Sequence, residues 1–257
     1  MSTGQPARQV GRVTIEEDIV FGEGGGRPLR CDVFLPPEHD VMRAAVLLVH
    51  GGGWQGGDRA QLRGYAILLA LHGFVCVCCE YRLSGENTWP AQIDDVRTAF
   101  GWLHANADRY GVDRARVCVS GNSAGGHLAL MLAATSDHPV AAAVAIYPPT
   151  RLRVDPCDES VRALLGRDAT PALADAASPI TYANADFPPT MLVHGNADEL
   201  VPVSASLAMY EALADAGASV ALHVFDGAPH AFDTDRDLGR QVADLIALFL
   251  DRNVRRS

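Results

Sequence analysis

The chain has 257 residues, 48% of them hydrophobic, and a formal net charge of −10. That length supports one sizeable core, 1–257, and gives no ground for a second domain. Its cations are all arginines, scattered among the acids without a basic stripe, which argues against nucleic acid or an anionic membrane as partner.

Residues 1–10 read as a disordered tail, and the N-terminal stretch has no apolar segment of signal-peptide type. No apolar run reaches membrane-spanning length, so a cytoplasmic protein is expected. Val13–Phe21 and Leu29–Pro36 read as strands joined by the turn material GEGGGRP. Ala44–His50 is a continuous apolar run, as in a strand covered on both faces. AQLRGYAILLALHG follows at helical spacing and stops on Gly73. FVCVCCE is a second covered strand, and WPAQIDDVRTAFGWLHANA a helix with Ile93, Val96, Phe100 and Leu103 on one face. RVCVSG, VAAAVAIY, TMLVHG and VALHVF read as further strands. SAGGHLALMLAA, VSASLAMYEALADAG and LGRQVADLIALFLDRN read as the helices between and after them. Such alternation predicts a mostly parallel sheet of about eight strands with helices on both faces. The least regular stretch, 148–188, is expected to hold one or two short helices in a cap-like insertion. The six cysteines show no C-x-x-C pair, and the expectation is reduced thiols in the core.

The chemistry begins at VCVSGNSAGGHLAL. Gly121-Asn122-Ser123-Ala124-Gly125 is a G-x-S-x-G pattern directly after a strand and before a helix. A nucleophile on so sharp a turn needs neighbours without bulk two residues either side. The turn lifts the Ser123 hydroxyl above the sheet edge and aims the Ala124 N–H at the same space. HGGGWQGGD, residues 50–58, follows an earlier covered strand at the carboxyl edge of the sheet, where open parallel sheets bind ligands. Acyl transfer requires N–H donors aimed at a developing oxyanion with nothing blocking approach, and a glycine backbone meets both needs. The spacings of phosphate-binding glycine loops are absent. Trp54 stands either at the rim of this crevice or packed over the loop.

HGGGW followed by GNSAGG resembles the α/β-hydrolase superfamily, in its esterase and lipase branch, over nearly the whole chain. EYRLSGENTWPAQIDDV, YGVDRARVCVSGNSAGGHLA and HGNADELVPV look most like small carboxylesterases, including feruloyl and acetylxylan esterase-like members. Ser84-Gly85-Glu86-Asn87 departs from the Pro-Glu-His step of the hormone-sensitive-lipase branch. The resemblance implies an α/β-hydrolase fold with minimal or no lid, and a triad in the order Ser, Asp, His. Asp198, in the loop after a late strand, is the expected acid. Asp186 precedes that strand and Asp226 follows the next, so both suit the role less. His230, after the last strand, is the expected base. His50, His127, His194 and His223 are expected to be structural. Gly52, Gly53 and Ala124 would supply the oxyanion hole, and Trp54 and Asn122 are candidate pocket residues.

The implied reaction is hydrolysis of a small ester through an acyl-enzyme, with short acyl chains preferred and with neither metal nor cofactor. An aryl formamidase or peptidase could use the same triad, because fold does not set the substrate. A binding module of the same fold would usually lack a triad residue. A homodimer is left open.

Overall fold

Every side chain of Ala45–Val49 and Val75–Cys79 is buried, and successive residues enter opposite halves of the core. Ala45, Leu47, Val49, Val75, Val77 and Cys79 face one apolar cluster; Val46, Leu48, Cys76 and Cys78 face the other. A continuous apolar run is therefore a strand with helices on both sides, its side chains alternating across the sheet.

The computed structural model describes residues 8–37, 42–156 and 158–254. Among these the strands are β1 (Arg8–Val10), β2 (Val13–Gly24), β3 (Arg27–Leu35), β4 (Ala45–Val49), β5 (Val75–Cys79), β6 (Val117–Asn122), β7 (Ala143–Ile146), β8 (Thr190–Gly195) and β9 (Val220–Phe225). The helices are α1 (Arg63–Leu71), α2 (Ala91–Ala105), α3 (Ala124–Thr135), α4 (Glu159–Leu165), α5 (Pro171–Ala176), α6 (Ser204–Asp215) and α7 (Arg236–Val254). One nine-stranded sheet runs β1-β2-β3-β5-β4-β6-β7-β8-β9. β1, β2, β3 and β5 pair antiparallel, and all pairs from β5 through β9 are parallel.

The ninth strand corrects the expectation of about eight. Arg8–Val10, placed in a disordered tail by the sequence, pairs antiparallel with Val13–Ile15 at the sheet edge. Three residues are too few to show a period, so only pairing with a neighbour reveals the strand. The core on one face is closed by α2, α3 and α6 through Val96, Phe100, Leu128 and Met209. On the other face α1 and α7 pack together through Leu69, Val242, Ile246 and Leu250. The five described cysteines are free and buried; Cys157 lies outside the described residues.

β4 lies between β5 and β6, so the chain leaves β4 first to one side and then to the other. This is the topological switch point, where a crevice opens beyond the carboxyl ends of the strands. The glycine-rich loop follows β4 and the Ser123 turn follows β6, which places both at that crevice.

Candidate active site

Ser123 occupies a left-handed backbone position, φ 52° and ψ −121°, between β6 and α3. A non-glycine residue there is strained, and such strain persists only where the surroundings enforce it. The enforcing contact is visible at its neighbour. A Cβ on Gly125 would lie 2.0 Å from Val49 O and 2.5 Å from His50 O. The turn can approach β4 this closely only with glycine at that position.

Three loops bring a complete relay to Ser123. His230 Nε2 lies 3.0 Å from Ser123 Oγ, and its Nδ1 lies 2.6 Å from Asp198 Oδ2. Asp198 is an acceptor, so Nδ1 carries the imidazole proton and Nε2 is left to accept from the serine hydroxyl. The Asp198 side chain is fully buried and that of His230 is 18% exposed. The second carboxylate oxygen accepts from the amides of Leu200 at 3.0 Å and Val201 at 2.8 Å. A buried carboxylate is tolerated when its lone pairs are filled in this way. Asp226, by contrast, accepts from Asn196 Nδ2 at 2.9 Å on the exposed side of the loop, and Asp186 is exposed.

His194 also reaches the acid, a contact that a loop-shaping role does not anticipate. Its Nε2 lies 2.8 Å from Val201 O and 3.4 Å from Asp198 Oδ2. A carbonyl only accepts, so Nε2 carries the proton, and Nδ1 accepts from Ser206 Oγ at 2.7 Å. Burial lowers the basicity of this imidazole. His194 thus sets a neutral N–H near the same carboxylate oxygen that His230 contacts. Its position four residues before Asp198 was the available signal.

A cavity of about 860 Å³ opens beside Ser123 and His230. Gly51, Gly52, Gly53 and Asn122 line it, as do Leu62, Tyr65, Ile67 and Leu68 from α1 and the turn before it. Gly52 has φ +115°, and a Cβ there would lie 2.2 Å from Gly56 O. Among the described residues, nothing accepts from the amides of Gly52, Gly53 or Ala124. The side-chain amide of Asn122 donates to the Tyr147 hydroxyl at 3.2 Å.

Trp54 is not at the cavity. It is 3% exposed, and its Nε1 donates to His127 Nδ1 at 3.3 Å. An indole buries a large apolar area while its N–H still finds a partner, and His127 supplies that partner from inside the core. His127 in turn donates from Nε2 to Ala177 O at 2.7 Å. Trp89 also packs against His127, ring centres 5.7 Å apart, and is absent from the cavity wall. His50 donates from Nδ1 to Gly51 O at 2.7 Å and stacks on Tyr81, so it anchors the glycine loop. The described residues of 148–188 include α4, α5 and a 3-10 turn at Pro179–Tyr182; none of these described residues lines the cavity, although Ser160 approaches Gly53.

The chain is similar to known esterases in sequence and in fold. The BD-FAE family model matches residues 31–213. Esterase LipC of Mycobacterium tuberculosis (strain ATCC 25618 / H37Rv) is 40% identical over 124 residues, 47% of this chain and 30% of LipC. The match therefore spans under a third of that curated relative. Thermogutta terrifontis esterase 2 phosphoramylated by tabun superposes with a TM-score of 0.80 at 27% identity, covering 95% of each chain. The propionate-bound form of the Thermogutta terrifontis esterase superposes at 0.79 with 30% identity, covering 91% of this chain and 93% of that one.

Proposed function

Because the chain belongs to the BD-FAE family and has the α/β-hydrolase fold of its esterase neighbours, we propose that it is a serine carboxylesterase acting on small esters. The observation that carries this reading is the relay Ser123 Oγ, His230 Nε2, His230 Nδ1, Asp198 Oδ2, open to a cavity on the serine side. His230 takes the hydroxyl proton as Ser123 Oγ bonds to the ester carbonyl carbon. Asp198 holds the imidazole in the tautomer that can accept and stabilises its charged form without taking the proton. The unengaged amides of Gly52, Gly53 and Ala124 are the donors for the tetrahedral oxyanion. The carbon–oxygen bond to the alcohol breaks, and His230 returns the proton to that alcohol. Water, deprotonated by the same imidazole, then cleaves the acyl-enzyme and restores Ser123.

A short acyl chain is the favoured substrate, in keeping with a structural relative that holds propionate. A fluorophosphonate should label Ser123 covalently, and Ser123→Ala should lose about 10⁴-fold or more in p-nitrophenyl butyrate turnover, because triad members act as a unit. Undiminished labelling of the Ala variant would overturn the assignment. Activity on N-formylkynurenine that exceeds activity on every ester would move the reading to a formamidase.

A further inference from the structure

Two phenols and a carboxylate that the chemistry above does not use meet beside His230. Asp233 follows His230 by three residues, in the 3-10 turn Phe232–Thr234. Its two oxygens accept from different tyrosines: one from the Tyr147 hydroxyl, the other from the Tyr65 hydroxyl at 2.9 Å. Tyr147 is the first residue after β7, and its ring centre lies 4.6 Å from that of His230. Its hydroxyl also accepts from Asn122 Nδ2 at 3.2 Å. A phenol has one proton to give, so the direction of this chain is set: Asn122 donates to Tyr147, and Tyr147 donates to Asp233. Burial first, and then the carboxylate, raise both phenols far above their ordinary range, so both remain donors.

What each tie connects decides what it can do. Apart from the His230–Ser123 contact itself, three further bonds of the His230 loop run to the loop of the acid. Ala197 N donates to Ala228 O at 3.1 Å, Gly227 N to Asn196 Oδ1 at 2.7 Å, and Asn196 Nδ2 to Asp226 Oδ1 at 2.9 Å. These hold His230 against Asp198. They do not hold it against Ser123, which sits on a different strand end. The path Asp233–Tyr147–Asn122 does, because Asn122 is bonded to Ser123 through the backbone. Tyr147 reaches this position with φ +40°, a conformation that costs a non-glycine residue energy and is met chiefly where function demands it.

We propose that Asn122, Tyr147, Asp233 and Tyr65 form a clamp that sets His230 Nε2 at bonding distance from Ser123 Oγ, with Tyr147 and Asp233 as positioning residues. The clamp rests on the serine-hydrolase reading above. It acts on a transfer distance, and a misplacement of about 1 Å in such a geometry costs on the order of 100-fold in rate. Tyr65 holds the far oxygen of Asp233 and contributes less, because it has no tie to the nucleophile.

The test compares Tyr147→Phe, Asp233→Ala and the double variant in the full chain, using p-nitrophenyl butyrate. Turnover is normalised to serine sites titrated to completion with a fluorophosphonate, so that misfolded protein does not count. The clamp predicts that kcat per labelled site falls about 10- to 100-fold in each single variant while KM changes little. The double variant should fall no further than the worse single one, since either change opens the same link. A purely structural role would lower the melting temperature and leave kcat per labelled site at the wild-type value, and that result overturns the clamp. Tyr147→Phe removes one oxygen and keeps the ring, so it decides the question alone should Asp233→Ala fail to fold. Labelling that persists in Ser123→Ala overturns the hydrolase reading and the clamp together. Wild-type turnover in Tyr147→Phe with Ser123→Ala inactive overturns the clamp alone.

Discussion

Asp198 and Asp226 follow the ends of β8 and β9, the last two strands before His230, and their surroundings separate them. Asp198 is buried with four donors around it: His230, His194 and the amides of Leu200 and Val201. Asp226 is exposed and serves the loop by accepting from Asn196. Asp198→Asn should leave the imidazole free to take the wrong tautomer, and turnover per folded molecule should fall on the order of 10⁴-fold by analogy with other triads. Asp226→Asn should lose only a surface bond and keep turnover near that of the parent. Steady-state kinetics at matched active-site titre checks both, and a crippled Asp226→Asn with an active Asp198→Asn would reverse the assignment.

The glycine loop and α3 are locked together from below. Trp54 descends from the loop into the core and donates to His127 on the first turn of α3. His127 passes the contact on to Ala177, in the segment between β7 and β8. Burial pushes the His127 imidazole down to about 4, from an ordinary 6.5. The unfolded chain therefore binds a proton that the folded chain refuses between those values. Stability falls as pH drops from about 6.5 to about 4, by about 3 kcal/mol from this group, and levels off below. His127→Leu removes that term but leaves Trp54 Nε1 and Ala177 O without partners, at about 1–3 kcal/mol each. Denaturant unfolding should show the variant less stable than the parent at pH 7.5, with the gap closing toward pH 4. A constant gap across that range would show that His127 is not the titrating group. In the loop itself, Gly52→Ala meets the Gly56 carbonyl and cannot hold φ +115° without strain. Displacing a single oxyanion donor should reduce kcat by about 10²- to 10³-fold.

The molecule as a whole decides which acyl chains it can hold. The sequence leaves Trp54 either at the rim of the crevice or packed over the loop. Trp54 and Trp89 both pack on His127, and the wall comes from α1 and its neighbours: Leu62, Tyr65, Ile67, Leu68 and Leu200. A site of about 860 Å³ lies in the range that encloses a whole small ligand, so it accommodates a short acyl group with its alcohol. Each methylene that reaches this wall should contribute up to ~0.8 kcal/mol. Specificity constants should rise from p-nitrophenyl acetate to butyrate and level off by octanoate, and Leu68→Ala should flatten the rise. A steady increase through palmitate would mean a long channel and contradict the short-chain reading. On the same scale, no described helix is long and apolar enough to cross a membrane.

Much of the fold and the relay was legible because it depends on consecutive residues. The steric demands of the Ser123 turn fall within five positions, and Gly121 and Gly125 meet them there. Buried strands announce themselves as apolar runs, and the ends of β6, β8 and β9 bring Ser123, Asp198 and His230 to one edge, in the chain order that the family resemblance implies. What the tertiary structure alone decided are the choices between directions and between distant partners. Whether Trp54 faced the crevice or the core depended on a positive φ and on a neutral imidazole 73 positions away. Tyr147 and Asp233 are 86 positions apart, and no local pattern couples them. β1 exists only as the partner of β2, since three residues gain a ladder of hydrogen bonds from a neighbour and show no period of their own. Local sterics can be read from the order of residues, whereas a contact across the fold is selected by the surfaces that packing brings together.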